Sequence, residues 1–191
     1  MVEYLKDPAA IYAKSFATVR AEAALDRFPE DVAEVVVRLI HACGIPRIAD
    51  DIAYTAGAVS AGRGALKSGA PIFVDANMVA AGIIRRHLSN NEIICTLDDE
   101  GVADDAQHDR TTRSAAAVAR WLPRLDGAVV VIGNAPTALF RLLEMIEDGA
   151  PKPAVVLGFP VGFVGAAESK DALAANALGI EFITLKGRVG G

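Results

Sequence analysis

Ala128-Val129-Val130-Val131-Ile132-Gly133-Asn134-Ala135-Pro136-Thr137-Ala138-Leu139 changes its apolar period in the middle. The first five residues are apolar without a break and rich in β-branched side chains. Such a short run reads as a strand buried on both faces, because a one-sided strand would alternate. Gly133-Asn134 interrupts the run. Pro136 suits the first turn of a helix, where its fixed φ is correct and its missing N–H is not needed. Apolar residues then recur at helical spacing, so residues 136–146 read as a helix. Strand, tight turn and helix in this order form the repeating unit of an α/β fold.

The same alternation spreads outward from this stretch. Residues 71–75, 92–97, 154–158 and 181–186 are further short runs rich in Val and Ile. Between them lie helical patterns at 57–68, after Asn77 (a candidate cap), at 113–121 and at 166–177. Residues 98–107 are acidic and polar, and read as a surface loop or a frayed helix start. Ahead of the alternation come two helices. In the first, over 7–25, Tyr12, Phe16, Val19 and Ala23 recur at helical spacing. In the second, Pro29, Glu30 and Asp31 mark the start and Val32, Val35, Val36, Leu39, Ile40 and Cys43 form the apolar stripe. Gly44 and Pro46 stop it. The expected fold is an α/β open doubly wound, mainly parallel five-stranded sheet of the flavodoxin-like kind. Helices cover both faces and two helices are added at the N-terminus, all in a single domain over 1–191. Ligands of such sheets sit beyond the carboxyl ends of the strands, which here carry Asp75, Thr96, Gly133-Asn134 and the loop 158–165.

Composition narrows the function. Hydrophobic residues make up 52% and charged residues 23% of 191, which excludes a disordered chain. The mean hydropathy of +0.33 is high for a lone soluble monomer and favours apolar surface buried between subunits. A net charge of −5 with no basic stripe argues against nucleic acid. No apolar run is long enough to span a bilayer and the first residues do not read as a signal peptide, so a cytoplasmic location is expected. Cys43 and Cys95 have no metal or disulfide spacing. His41, His87 and His108 are scattered. Walker A, Gly-x-Gly-x-x-Gly, Gly-x-Ser-x-Gly and His-Glu-x-x-His patterns are all absent.

Three stretches carry a resemblance. They are Ile11-Tyr12-Ala13-Lys14-Ser15-Phe16 with Arg20-Ala21-Glu22; Arg38-Leu39-Ile40-His41-Ala42-Cys43-Gly44; and the pair formed by 133–139 and Gly158-Phe159-Pro160-Val161-Gly162-Phe163-Val164-Gly165-Ala166-Ala167-Glu168-Ser169-Lys170. In this order and over nearly the whole chain they resemble the precorrin-8X methylmutase family. The resemblance implies an isomerase of cobalamin biosynthesis. It would shift a methyl group from carbon eleven to carbon twelve of precorrin-8X, or of cobalt-precorrin-8, giving hydrogenobyrinate or its cobalt counterpart. It implies an acid-assisted sigmatropic shift without a cofactor or metal, and a homodimer with the ligand near the subunit interface. It also implies His41 as catalytic acid/base, Ser15 as a substrate contact and Arg113 as a partner for a substrate carboxylate. Family members usually continue past Gly190-Gly191, so a short C-terminal segment is expected to be missing from this chain.

The residues are consistent with that chemistry. His41 lies in the last turn of its helix, where the negative end of the dipole favours a charged imidazole by about 0.3–1 kcal/mol, or up to about 2 when partly buried. An acid catalyst needs such a group; a helix-capping histidine would look the same. A mid-helix serine such as Ser15 commonly bonds back to its own backbone. Arg113, Lys170, Arg63 and Lys67 are candidate holders of substrate carboxylates, Arg being suited by its planar fork. Asn134 reads either as a plain N-cap or as the start of a turn whose backbone N–H groups hold an acid. The 158–165 loop, with Phe159 and Phe163, suits a flat macrocycle or a dimer contact. Two rivals remain at this point: a non-catalytic tetrapyrrole carrier on the same fold, and a nucleotide-binding flavodoxin-like module.

Overall fold

The computed structural model describes residues 2–191. The chain separates into two compact units, one ending at Ile52 and one running Ala53–Gly191.

The first unit is built on two helices, α1 (Pro8–Glu22) and α2 (Glu30–Cys43), followed by a 3-10 turn (Pro46–Asp51). Asp7 starts α1: its carboxylate accepts from the Ala10 N–H at 2.7 Å, and Pro8 fills the first turn. Glu30 and Asp31 occupy the first turn of α2, and Gly44 ends it at φ +71°, a left-handed conformation in which a Cβ would be strained. The buried stripe of α2 is Val32, Val36, Val37 and Ile40. Val35 and Leu39, expected at its centre, are only half-buried, and Cys43 is exposed. The three consecutive valines at 35–37 fit two neighbouring stripes, and packing rather than period chooses between them.

The second unit carries the sheet. Its strands are β1 (Ile52–Tyr54, whose last two residues open this unit), β2 (Ile72–Val74), β3 (Ile93–Ile94), β4 (Val129–Ile132), β5 (Val155–Gly158) and β6 (Phe182–Leu185). They lie in the order β1-β6-β5-β4-β2-β3, and every pair from β2 to β6 is parallel. Six strands replace the expected five. The addition is an edge strand of three residues, Ile-Ala-Tyr, too short to declare itself by pattern. Counted from β2, the remaining order is 2-1-3-4-5, the flavodoxin-like winding. The helices that cover its two sides are α3 (Ala58–Lys67), α4 (Asn77–Gly82), α5 (Val102–His108), α6 (Arg113–Ala119), α7 (Pro136–Glu147) and α8 (Ala166–Ala175). The segment read as a loop or frayed helix start thus forms α5. The expected cap of α4 is corrected too. The N-cap is Ala76, and the Asn77 amide donates to the Asp98 carboxylate at 2.7 Å instead.

The run 92–97 pairs over only Ile93–Ile94 because Thr96 is tied elsewhere. Its hydroxyl donates to the Ala117 carbonyl at 2.8 Å and accepts from the Trp121 indole N–H at 2.9 Å. Trp121 is fully buried and stacks on Phe73 with ring centroids 5.4 Å apart. Leu125, Val130, Ile132, Leu139, Leu142, Val156 and Leu173 complete this core. Replacing Thr96 with valine keeps the shape and leaves the indole N–H buried without an acceptor. A loss of about 1–3 kcal/mol is expected, read as a melting temperature lower by roughly 2–12 °C for a chain of this size. An unchanged melting point would show that water replaces the hydroxyl.

Candidate active site

In the first unit, the packing of α1 on α2 brings Ser15 against the last turn of α2. The Ser15 hydroxyl and His41 Nδ1 lie 2.7 Å apart. A hydroxyl both donates and accepts, so this bond survives whichever charge the imidazole carries. It fixes the ring's orientation and leaves Nε2 to give or take a proton. Two aromatic residues of α1 hold the ring on other sides. The Tyr12 centroid is 5.3 Å away with the rings tilted, and Phe16 meets the imidazole edge-on at 5.1 Å and 84°. A cleft of about 250 Å³, lined by Ser15, Thr18, Val19, Ile40, His41 and Pro46 among others, opens beside them. A second of about 460 Å³ shares Glu22, Gly44 and Pro46 with it and extends to Arg47 and Asp50.

In the second unit the winding reverses between β2 and β4, and the crevice at their carboxyl ends is the usual ligand position. Asp75 fills part of it. Its buried carboxylate accepts from the backbone N–H groups of Gly133 (2.9 Å), Asn134 (3.0 Å) and Ala135 (2.6 Å). Burial pushes this carboxyl above its ordinary value, and the three N–H groups pull in the opposite direction. The expectation that the turn at Asn134 offers free N–H groups to a ligand acid is therefore corrected: an internal acid already takes them. Asn134 does not cap α7 either, since the N-cap is Ala135; its side chain is exposed. Next to this turn is an apolar cavity of about 350 Å³, lined by Met78, Val79, Ile83, Ile132, Gly133 and Phe159 among others. Gly133 and Phe159 belong to the segments expected at the ligand end of the sheet, while Met78, Val79, Ile83 and Ile132 carry no signal in the sequence beyond helix or strand.

Arg113 opens α6 behind Thr112, whose hydroxyl accepts from the Ala115 N–H. Its guanidinium reaches the Leu97 carbonyl at 3.1 Å and the Asp98 carboxylate at 2.5 Å, with both charged side chains more than half exposed. An exposed pair of this kind contributes only about 0.2–1 kcal/mol, so a ligand carboxylate can replace Asp98 at little cost.

Lys170 is different. It is fully buried, and its ammonium donates to the Val189 carbonyl at 2.6 Å. It latches the segment 187–191 onto α8 and is turned away from solvent. Burial lowers its pKa from 10.5 to about 8, with Asp171 opposing. The folded state therefore gives up this proton near pH 8 and the unfolded state only near 10.5. Stability must rise between those values, since there the unfolded chain binds more protons. Relative to Lys170→Met, the native protein should gain on the order of 2 kcal/mol from pH 7.5 to 10.5 in urea unfolding. A difference that stays flat over that range would place the ammonium in contact with water.

The 158–165 loop presents Phe163 and Val164 almost wholly to solvent, with the Arg188 guanidinium 5.5 Å from the Phe163 centroid. Among the described residues no group of three or more His, Cys, Asp or Glu side chains could hold a metal ion.

Known proteins resemble this chain over nearly its whole length. The family model described as "CbiC: Precorrin-8X methylmutase" matches residues 10–191. The precorrin-8X methylmutase of Pseudomonas aeruginosa is 54% identical over 192 residues, covering 100% of this chain and 92% of that one. The Sinorhizobium sp. precorrin-8X methylmutase is 55% identical over 190 residues, covering 99% and 90%. The cobalt-precorrin-8 methylmutase of Priestia megaterium is 36% identical over 186 residues, covering 96% and 82%. Among solved structures, the precorrin-8X methylmutase of Thermus thermophilus superposes with a TM-score of 0.85 at 42% identity, covering 96% of this chain and 88% of that one. A family model spanning both units, whole-length relatives at more than half identity and a shared fold place this chain in the precorrin-8X methylmutase family.

Proposed function

We propose that the protein moves a methyl group from carbon eleven to carbon twelve of precorrin-8X, giving hydrogenobyrinate, with His41 as the acid/base. The observation that carries this reading is the imidazole at the end of α2. Ser15 holds its Nδ1, two aromatic rings fix its plane, and it borders an open cleft. Substrate and product are isomers, so the step needs no atom from outside. His41 Nε2 donates a proton to the conjugated macrocycle, which draws electron density from the migrating methyl's origin. The methyl migrates, and loss of a proton to the imidazole restores the neutral product. A positioned acid contributes about 10²–10⁴-fold in rate to such a step.

Ser15 serves here first as the residue that positions His41, next to any contact with the ligand. Arg113 is assigned to a substrate carboxylate, in exchange for Asp98, and the exposed Asn134 amide to a second polar group. Lys170 acts at one remove, through the segment it anchors. The higher identity to proteins named precorrin-8X methylmutase, 54–55% against 36% for the cobalt-precorrin-8 methylmutase of Priestia megaterium, supports the metal-free substrate. The exposed apolar side chains Phe163, Val164, Met78 and Ile84 support a homodimer. A single family model running through both units supports one functional domain. Among the described residues no helix is long and apolar enough to cross a membrane, which fits the cytoplasmic location we assign.

The test is an absorption spectrum of the purified protein incubated with precorrin-8X. Conversion to the hydrogenobyrinate spectrum is expected. Stable binding of the pigment with no spectral change would make the protein a carrier.

A further inference from the structure

Arg113 is the cation assigned to a substrate acid, yet its contact lies on an acidic run, Asp98-Asp99-Glu100, all exposed. Among the described residues, Asp98 is the only carboxylate paired with Arg113. One Asp98 oxygen accepts from Arg113 Nη2 at 2.5 Å, and the other accepts from the Asn77 amide at 2.7 Å. The cluster is assembled from three segments. Asn77 opens α4 after β2, Asp98 follows β3, and Arg113 opens α6. β2 and β3 are parallel neighbours, so Asn77 and Asp98 leave the sheet at the same end. Arg113 uses a single nitrogen for its contacts, since Nη2 also donates to the Leu97 carbonyl at 3.1 Å. Its other N–H groups have no partner among the described residues. A ligand carboxylate that reaches this guanidinium therefore meets a carboxylate already on it. Two anions at one cation repel, and in an exposed pair one of them can leave at little cost. Asn77 decides where Asp98 goes. Held through its second oxygen, Asp98 stays within reach and returns to Arg113 when the ligand departs.

We propose that Asp98 is a built-in rival for Arg113 that weakens its grip on the ligand's acid and speeds release, and that Asn77 is the positioning residue that keeps the rival in reach. This rests on the function proposed above. Its substrate and product are isomers bearing the same peripheral acids, so a cation that holds one holds the other. With no rival, the guanidinium would keep the product as firmly as it keeps the substrate. Asp98 makes the contact an exchange of one carboxylate for another, which orients the ligand at a small net gain in affinity.

The experiment is a spectroscopic titration of the whole protein with hydrogenobyrinate in about 0.15 M salt, where unpaired exposed charges are screened, with stopped-flow displacement for the dissociation rate. Asp98→Asn keeps an oxygen for Asn77 and removes the charge. It should lower the Kd by about 2- to 5-fold, the worth of an exposed ion pair, mostly through slower dissociation. Asn77→Ala should shift the Kd in the same direction by less, because Asp98 is then free to swing into water. Asp99→Asn removes the same charge one residue on and should leave the Kd near native. Arg113→Met should raise the Kd, and adding Asp98→Asn to it should change nothing further. A native Kd in Asp98→Asn, an equal fall in Asp99→Asn, or an equal gain in the Arg113→Met background each overturns the role of Asp98. A raised Kd in Asn77→Ala would make Asn77 a ligand contact and overturn its positioning role. None of these results touches the methyl shift itself. Failure of the native protein to bind and convert the pigment would overturn the function instead.

Discussion

An alanine at position 41 is expected to slow methyl migration by about 10²–10⁴-fold while the protein still folds and still binds hydrogenobyrinate. The size follows from removing a positioned proton donor and leaving everything else. The ring makes one hydrogen bond, to Ser15, and is itself half-buried, so its loss opens a small space beside the existing cleft rather than a hole in the core. The left-handed Gly44 cap that ends α2 does not use the His41 side chain, since the Gly44 N–H bonds to the Ile40 carbonyl at 2.7 Å. The helix end should therefore survive. Stopped-flow absorbance gives the rate and titration gives the Kd. A rate within threefold of native would remove His41 from the chemistry; a lost Kd with an unchanged rate at saturation would make it a binding group. Glutamine is the informative companion. It can keep a hydrogen bond to Ser15 but has no proton to give, so it should be as slow as alanine.

The features that were legible in the sequence are the local ones. The unbroken Val and Ile runs that became β4 and β5 declare a parallel sheet, because only a strand covered on both faces lacks a polar side. Pro136, Gly44 and Pro29 mark helix ends through their own backbone limits, and those ends fall within a residue of expectation. What failed to show was decided at a distance. The edge strand Ile52–Tyr54 is three residues long and belongs to the sheet through its neighbour rather than through its pattern. Asn77 has the right chemistry for a cap, but Asp98, twenty-one residues on, takes its amide. Lys170, a candidate holder of a substrate carboxylate by its sequence, sits on α8 with Glu168 and Asp171 close by; only the fold turns this ammonium inward to Val189. At the candidate site, His41 stood out from its place before Gly44 and from the family resemblance. Its connection to Ser15, across twenty-six residues, depends on how α1 and α2 pack and has no signature in spacing. The contact of Phe16 with the imidazole is hidden for the same reason, as is the fact that Glu34 turns to Arg20.

Replacing Asp75 with asparagine is expected to cost about 1–3 kcal/mol, the penalty typical of leaving a buried donor without its acceptor. With 2–4 °C per kcal/mol for a chain of this size, that lowers the melting temperature by roughly 2–12 °C. The geometry explains the size. Three N–H groups from consecutive residues converge on two carboxylate oxygens. Asparagine keeps one oxygen and turns an NH₂ group toward at least one of those donors, so an attraction becomes a repulsion between hydrogens. Gly133 is buried, so an N–H left there without its acceptor is costly. The fault then spreads to the carboxyl ends of the strands. Gly133 lines the apolar cavity and packs so closely on Val79 that a Cβ there would lie 2.8 Å from its methyl group. A turn released from Asp75 cannot hold that contact, so pigment binding should weaken along with stability. An Asp75→Asn protein that melts within 2 °C of native would mean that the turn is held by β4 and the start of α7 alone. The buried carboxylate would then need another purpose. Native stability with a weakened Kd would assign it to the ligand; loss of stability with a native Kd would separate the turn from the pigment altogether.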